Sequence, residues 1–277
     1  VMWIENIRAI DFLNYSRWNK VIYHVSDLYT ENRYSKDREV LHKRDELASK
    51  RSDLIICVSV ELYNLKKRKY PNVYYLPHGV DFEKYFTAAK SGCKHPLLSN
   101  VKGPLIGYFG TLTQANDIKM LEFCAAKFPD YNFIFAGKIT GGDYNILKKM
   151  NNVHLLGFIP YDEISLLCSS FDVCLLPWMM TPWIEHCNPL KLFEYMACGK
   201  PVVSVPIKEV VYNYSDVVSI AYSAEEFSNA IDWELKNDNS TRENRRIEIA
   251  KNNSWERHID IIYKLLENKQ LPAGKYE

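Results

Sequence analysis

The sequence predicts an α/β protein made of two doubly wound units with parallel sheets. Apolar runs of about five residues, rich in Val, Ile, Leu and Phe, recur at 105–109, 132–136, 153–156, 173–176, 201–205 and 217–221. Helix-length stretches such as 118–127 and 161–169 separate them. Strands that are apolar on both faces and alternate with helices belong to a parallel sheet covered on both sides. Length agrees: 277 residues, set against a soft prior of about 150 per domain, fit two such units.

The first hundred residues repeat the pattern with fewer strands, at 21–25, 54–58 and 73–76, and with helices at 4–18, 35–51 and 60–69. Three strands are few for a self-sufficient doubly wound sheet. The sequence also opens at Val1, ahead of Met2, inside an expected helix, so this lobe is expected to be incomplete. Residues 82–103, which contain Ser91-Gly92-Cys93-Lys94-His95-Pro96, show little periodicity and read as the link between lobes. Residues 241–269 read as one long helix, with Ile247, Trp255, Ile259, Ile262 and Leu266 on its apolar face. The expected division is a partial first lobe over 1–100, a second lobe over 101–240 and a C-terminal helical tail over 241–277.

Composition excludes several classes. An apolar fraction of 47% with 25% charged residues is that of an ordinary folded chain. Thirty-five Lys and Arg against 34 Asp and Glu leave a net charge of +1, too weak a field for a nucleic-acid partner. Seven cysteines with no CxxC pair argue against a zinc site or a disulfide framework, and for reduced, mostly buried thiols in the cytoplasm. No apolar run reaches the roughly 18 residues of a membrane span, and no signal peptide opens the sequence.

The stretch with the most chemistry is Asn188-Pro189-Leu190-Lys191-Leu192-Phe193-Glu194-Tyr195-Met196-Ala197-Cys198-Gly199-Lys200-Pro201. Asn188 is a good N-cap, Pro189 suits the first helical position, and Gly199 with Pro201 stops the helix. Leu190, Phe193 and Ala197 are expected to form its buried stripe. Lys191 stands where free N–H groups and the positive dipole end favour a diphosphate, and Glu194, one turn deeper, can accept hydrogen bonds from ribose hydroxyls. On spacing alone, a capped surface helix with one Lys–Glu pair fits equally well.

Residues 189–203 resemble the donor-binding signature of GT-B-fold glycosyltransferases of the family 4-like group. Other pieces follow in the family's order: Leu76-Pro77-His78-Gly79-Val80-Asp81 resembles its hinge-proximal motif, and Ile106-Gly107-Tyr108-Phe109-Gly110-Thr111-Leu112 the first strand and glycine turn of its donor domain. Val153-His154-Leu155-Leu156-Gly157-Phe158-Ile159-Pro160 resembles the segment that holds the nucleobase. The resemblance implies two Rossmann-like lobes and a final helix that crosses back to the first. It implies transfer of a sugar from a nucleotide diphosphate, most often of uridine, to a glycan or lipid-linked acceptor in cell-surface polysaccharide synthesis. No bound metal or other cofactor is expected.

By position, the resemblance sets Gly110 and Thr111 beside the donor phosphates, Phe158 and Ile159 around the base, Asn188, Pro189, Leu190 and Lys191 at the diphosphate, and Glu194 at the ribose. Lys191 and Glu194 are also its catalytic candidates. Lys138 is a further phosphate candidate, with a solvated loop lysine as the alternative. Three departures stand out. The first position of the family's Glu-x7-Glu motif is His186, the Arg and Lys pair that usually follows the glycine turn is absent from 111–119, and Ser26 replaces the His that usually precedes Asp27. Asp27 or His24 facing the acceptor competes with strand-end capping, and Trp178 and Trp183 stacking on a sugar or base competes with simple packing of their loop.

No Asp-x-Asp supports a metal-clamped diphosphate, and no Gly-x-Gly-x-x-Gly follows a strand. The run Lys66-Lys67-Arg68-Lys69 reads as a solvated face. A lipid-linked acceptor raises the competing reading, peripheral contact with anionic lipid at the inner face of the plasma membrane, worth about 1 kcal/mol per basic residue. Two other functions remain open: a GT-B-fold nucleotide-sugar epimerase, and a catalytically silent nucleotide-sugar-binding subunit of a transferase complex.

Overall fold

The computed structural model describes residues 1–31 and 37–267. The first lobe runs β1 (Met2–Ile4), a 3-10 helix (Ile7–Asn14), β2 (Val21–Val25), a 3-10 turn (Tyr29–Glu31), α1 (Arg38–Arg51), β3 (Leu54–Cys57), α2 (Val60–Lys67) and β4 (Val73–Tyr75). Its four strands pair in parallel in the order β1-β2-β3-β4. The expected helix over 4–18 is therefore a strand followed by a 3-10 helix. Met2 pairs with Val21, and Ile7, Ile10 and Leu13 are buried. That spacing of three matches a helix with 3.0 residues per turn. The start of the expected helix at 35–51 lies outside the described residues.

α3 (Phe82–Lys90) and a 3-10 turn (Pro96–Leu98) follow. The 82–103 stretch is thus not a featureless link. Phe82, Tyr85, Phe86 and Ala89 give a helical spacing, Asp81 caps it through the Lys84 N–H, and Phe82, Tyr85 and Leu98 enter the core of the second lobe.

The second lobe runs β5 (Leu105–Phe109), α4 (Ile118–Lys127), β6 (Asn132–Ala136), α5 (Asn145–Lys148), β7 (Val153–Gly157), α6 (Tyr161–Ser169), β8 (Val173–Leu176), α7 (Pro182–Glu185), α8 (Leu190–Ala197), β9 (Val202–Ser204), α9 (Lys208–Tyr214), β10 (Val218–Ile220) and α10 (Ala224–Asn237). Its sheet is parallel, in the order β10-β9-β8-β5-β6-β7. β5 and β8 are buried along their whole length, as near-continuous apolar strands between two helical layers must be.

The expected tail helix is two helices, α11 (Ser240–Asn252) and α12 (Trp255–Leu266); its last residues fall outside the described ones. The break has a cause. Val80 N–H donates to the Asn253 carbonyl at 3.0 Å and Trp255 N–H to the Val80 carbonyl at 3.2 Å, and Ser254 caps α12. Leu265, Ile261, Ile262 and Leu266 of α12 pack against Ile22, Leu54, Ile56 and Leu76 of the first lobe, so the chain crosses back to it. Trp255 and Ile259, expected on the buried face, are exposed instead.

The lobes also meet through a buried carboxylate. Glu209 of α9 accepts from Val60 N–H at 2.7 Å, the Tyr75 hydroxyl at 2.5 Å and the Asn213 amide at 2.9 Å. Lys66 departs from the solvated face expected of the basic run: it is buried and paired with Asp45 at 2.5 Å and Ser49 at 2.8 Å. Lys67, Arg68 and Lys69 are exposed. Among the described residues, no helix is long and apolar enough to cross a membrane.

Candidate functional site

In the second sheet β5 comes first in the chain. The connections from it build β6 and β7 on one side and then β8, β9 and β10 on the other, so the switch point lies between β5 and β8. A crevice opens outside the strand carboxyl ends at such a point. Gly110 follows β5 there with φ +130°, a conformation L side chains rarely adopt. A Cβ at Gly110 would stand 2.5 Å from Lys191 Cε and 2.8 Å from Nζ, so the lysine of α8 lies directly on the glycine turn. A Cβ at Gly137, after β6, would overlap the Gly110 carbonyl. Two glycines thus let three chain segments converge.

Lys191 Nζ sits 5.5 Å from the Tyr108 ring centroid and 5.7 Å from that of Trp178, and the Trp178 indole N–H donates to the Tyr108 hydroxyl at 3.4 Å. No carboxylate pairs with Lys191 among the described residues. Its charge lies beside two aromatic rings. No side chain caps α8; the Leu192 N–H turns back to the Pro189 carbonyl at 3.0 Å, which leaves the N–H groups of Leu190 and Lys191 at the helix start.

Glu194 lies one turn into α8. Tyr85 of α3, itself buried, donates its hydroxyl to Glu194 Oε1 at 2.6 Å. Burial pushes the Glu194 carboxyl above its ordinary range, opposed by the Tyr85 hydrogen bond and by the charges of Lys191 and Lys84.

Of the other sequence-predicted residues, Thr111 and Lys138 are exposed. Lys138 Nζ lies 5.0 Å from the centroid of the Phe158 ring, which is 63% exposed and so presents an open aromatic face. Ile159 is buried. The backbone joins this pair to the glycine turn, since Gly137 N–H donates to the Gly157 carbonyl at 2.6 Å. Pro189 is buried, whereas Leu190, expected in the buried stripe, is 48% exposed; Phe193 and Ala197 are buried as expected, with Leu192, Tyr195 and Met196 beside them in the core. Pro189, not Asn188, occupies the cap position. Asn188 is buried, and its amide donates across to the Val58 carbonyl of the first lobe at 2.6 Å, which takes it away from capping.

Across the crevice, Asp27 accepts from the Trp183 indole N–H at 3.1 Å, and burial raises its pKa, with the Trp183 bond opposing. Trp183 thus packs its loop onto the first lobe, and Asp27 reaches the second lobe rather than capping its own strand. His24 packs edge-on against Trp3 and His78, at centroid distances of 5.5 and 6.2 Å, and burial lowers its pKa. Sequence reasoning missed Tyr85 and Tyr108. Tyr85 was legible only through the 82/85/86/89 spacing, while Tyr108 sits in an all-apolar strand that marks burial and nothing more.

Two parallel α/β lobes, with a cationic helix tip that no side chain caps over a glycine turn at the switch point, define a GT-B-type fold. Residues 94–253 match the model of the glycosyl transferases group 1, and the chain belongs to that family. It is 30% identical over 218 residues to TuaH of Bacillus subtilis, a glycosyltransferase named for teichuronic acid biosynthesis. The match covers 71% of this chain and 55% of TuaH, so the chain spans about half the length of that relative. The fold is also that of HepE from Anabaena, solved with UDP: TM-score 0.76 at 18% identity, covering 96% of this chain and 78% of HepE. Sucrose-phosphate synthase of Thermosynechococcus elongatus superposes with a TM-score of 0.71 at 16% identity, over 95% of this chain and 71% of the synthase.

Proposed function

We propose that this protein transfers a sugar from a UDP-sugar to a glycan or lipid-linked acceptor in cell-surface polysaccharide synthesis. One observation carries the reading: Lys191, unpaired with any carboxylate among the described residues, rests on the Gly110 turn at the start of an uncapped helix, with Glu194 one turn below. HepE, solved with UDP-glucose as well as UDP, favours uridine, and TuaH favours a cell-surface glycan.

In this reading, Gly110 and Thr111 approach the phosphates through the backbone, with Lys138 at their edge. Asn188, Pro189 and Leu190 shape the diphosphate seat, Glu194 accepts from the ribose diol, and Phe158 and Ile159 flank the base. An acceptor hydroxyl oxygen bonds to the anomeric carbon as the bond from that carbon to the diphosphate oxygen breaks, and the hydroxyl proton is released. Negative charge grows on the departing diphosphate, where Lys191 and the α8 N–H groups lie. Countercharge fixed in place before the reaction stabilises the transition state more than the ground state. Protein groups supply that charge here, so the reading needs no resident metal. A lipid-linked acceptor puts the encounter at the inner face of the plasma membrane.

The test is calorimetric titration with UDP, GDP and ADP, with Lys191→Ala and Glu194→Gln as variants whose melting is unchanged. UDP binding that weakens at least about tenfold in each variant, the size of one charged contact, is expected. Unchanged binding in both variants would overturn the site. Donor turnover that needs an acceptor glycan separates transfer from epimerisation.

A further inference from the structure

We infer that Tyr85 is a positioning residue for the donor: its hydroxyl fixes one oxygen of the Glu194 carboxylate so that the other faces the ribose diol. The inference rests on the donor-site reading above and adds a residue from outside the signature helix.

Tyr85 is locked at both ends. Its ring is 1% exposed, its carbonyl accepts a 3.5 Å contact from the Cys198 thiol, and Asp81 caps the helix that carries it. A tyrosine hydroxyl so deeply placed needs a partner, and Glu194 Oε1 at 2.6 Å is that partner. Oε2 receives no hydrogen bond among the described residues and is not among the sealed, orphaned polar atoms, so it keeps access to solvent. An ionised carboxylate accepts on both oxygens. With Oε1 taken, its remaining capacity points one way.

The same bond also opposes the effect of burial on ionisation. The groups facing Glu194 are Lys84 and Tyr85 from α3, Tyr161 and Cys168 from α6, Lys191 from its own helix and Cys198 just beyond it. Burial disfavours the anion, while the Tyr85 hydroxyl and the two lysines favour it. Without the hydroxyl the carboxyl takes up its proton at higher pH and loses acceptor capacity toward the diol.

The experiment is calorimetric titration of UDP into the full chain from pH 5 to 8, for the wild type, Tyr85→Phe, Glu194→Gln and the double variant. Titration of the ligand's own phosphate is common to all four. Tyr85→Phe keeps the ring volume. It is expected to weaken binding about tenfold near pH 6 and to move the acid limb of the affinity profile to higher pH. Glu194→Gln is expected to lose that limb, and adding Tyr85→Phe to it to change nothing further. Replacement of Tyr85 by 3-fluorotyrosine, a stronger donor of nearly the same size, is expected to move the limb the opposite way, which keeps the inference testable should the phenylalanine variant fail to fold. A limb unmoved by Tyr85→Phe, with Glu194→Gln still weakened, would overturn the role of Tyr85 and leave the donor site standing. Equal weakening by Tyr85→Phe in both backgrounds would reduce Tyr85 to packing and overturn the inference too. Wild-type binding by Glu194→Gln would overturn this inference and take Glu194 from the ribose, while the donor site itself falls only if Lys191→Ala also binds like the wild type.

Discussion

The Asn188 carboxamide and the Val58 carbonyl, 2.6 Å apart, tie the chain just before α8 to the end of a strand in the other lobe. Asn188 Oδ1 is buried with no partner, so the side chain is kept for its donor alone. Asn188→Ala leaves the Val58 carbonyl without this bond and is expected to cost about 1–2 kcal/mol. Chemical denaturation measures it, and a variant as stable as the wild type would count against the tie.

Gly110 is where a single methyl should do most harm to binding. At φ +130° an alanine carries backbone strain of about 1–3 kcal/mol, and its Cβ strikes the Lys191 side chain. Gly110→Ala is expected to lower the melting temperature and weaken UDP binding about tenfold. Calorimetry at one pH reads the second effect, and undiminished affinity would show that Lys191 need not lie on the turn.

Arg246 is a purely structural cation. It is fully buried, bonds both oxygens of Asp238 at 2.9 and 2.5 Å, and donates twice to the Gly199 carbonyl at 3.1 and 2.9 Å. Removing one partner of a buried pair costs about 3–5 kcal/mol. Arg246→Ala is therefore expected to melt far earlier than any surface variant, such as Arg245→Ala.

Acid should loosen the first lobe. Burial lowers the His258 pKa to about 4 and that of His78 to about 3, with His24 adding to both. These folded-state values lie below the ordinary 6.5 of the unfolded chain. The unfolded chain therefore binds protons first, and stability present above about pH 6.5 is lost as pH falls toward 4. For His258 alone the loss approaches about 3 kcal/mol. Denaturant midpoints at pH 7.5 and 4.5 should differ less in His258→Leu than in the wild type; equal differences would place the acid sensitivity elsewhere.

The layered parallel architecture was legible because β5, β6 and β8 are apolar on both faces and cannot be anything but covered strands. Lys191 and Glu194 were legible as a pair because helical spacing puts them near one helix start. What escaped depended on contacts distant in sequence. Asn188 reads as a cap until the first lobe offers a carbonyl, and the tail reads as one helix until Val80 inserts its hydrogen bonds between Asn253 and Trp255. The N-terminal 3-10 helix escaped for a different reason: over so short a stretch, the spacing of three at Ile7, Ile10 and Leu13 differs little from a period of 3.6.

The paired crossings at Val80 and Ser254 have a mechanical consequence. Gly79 lies under the Trp255 ring, where even a methyl would collide, so the outgoing and returning strands form a two-ply spine with no slack between plies. A chain joined by one strand can swivel freely, whereas two plies laid side by side pass bending and resist torsion. Twisting one half against the other at this point would have to break both Val80 hydrogen bonds at once.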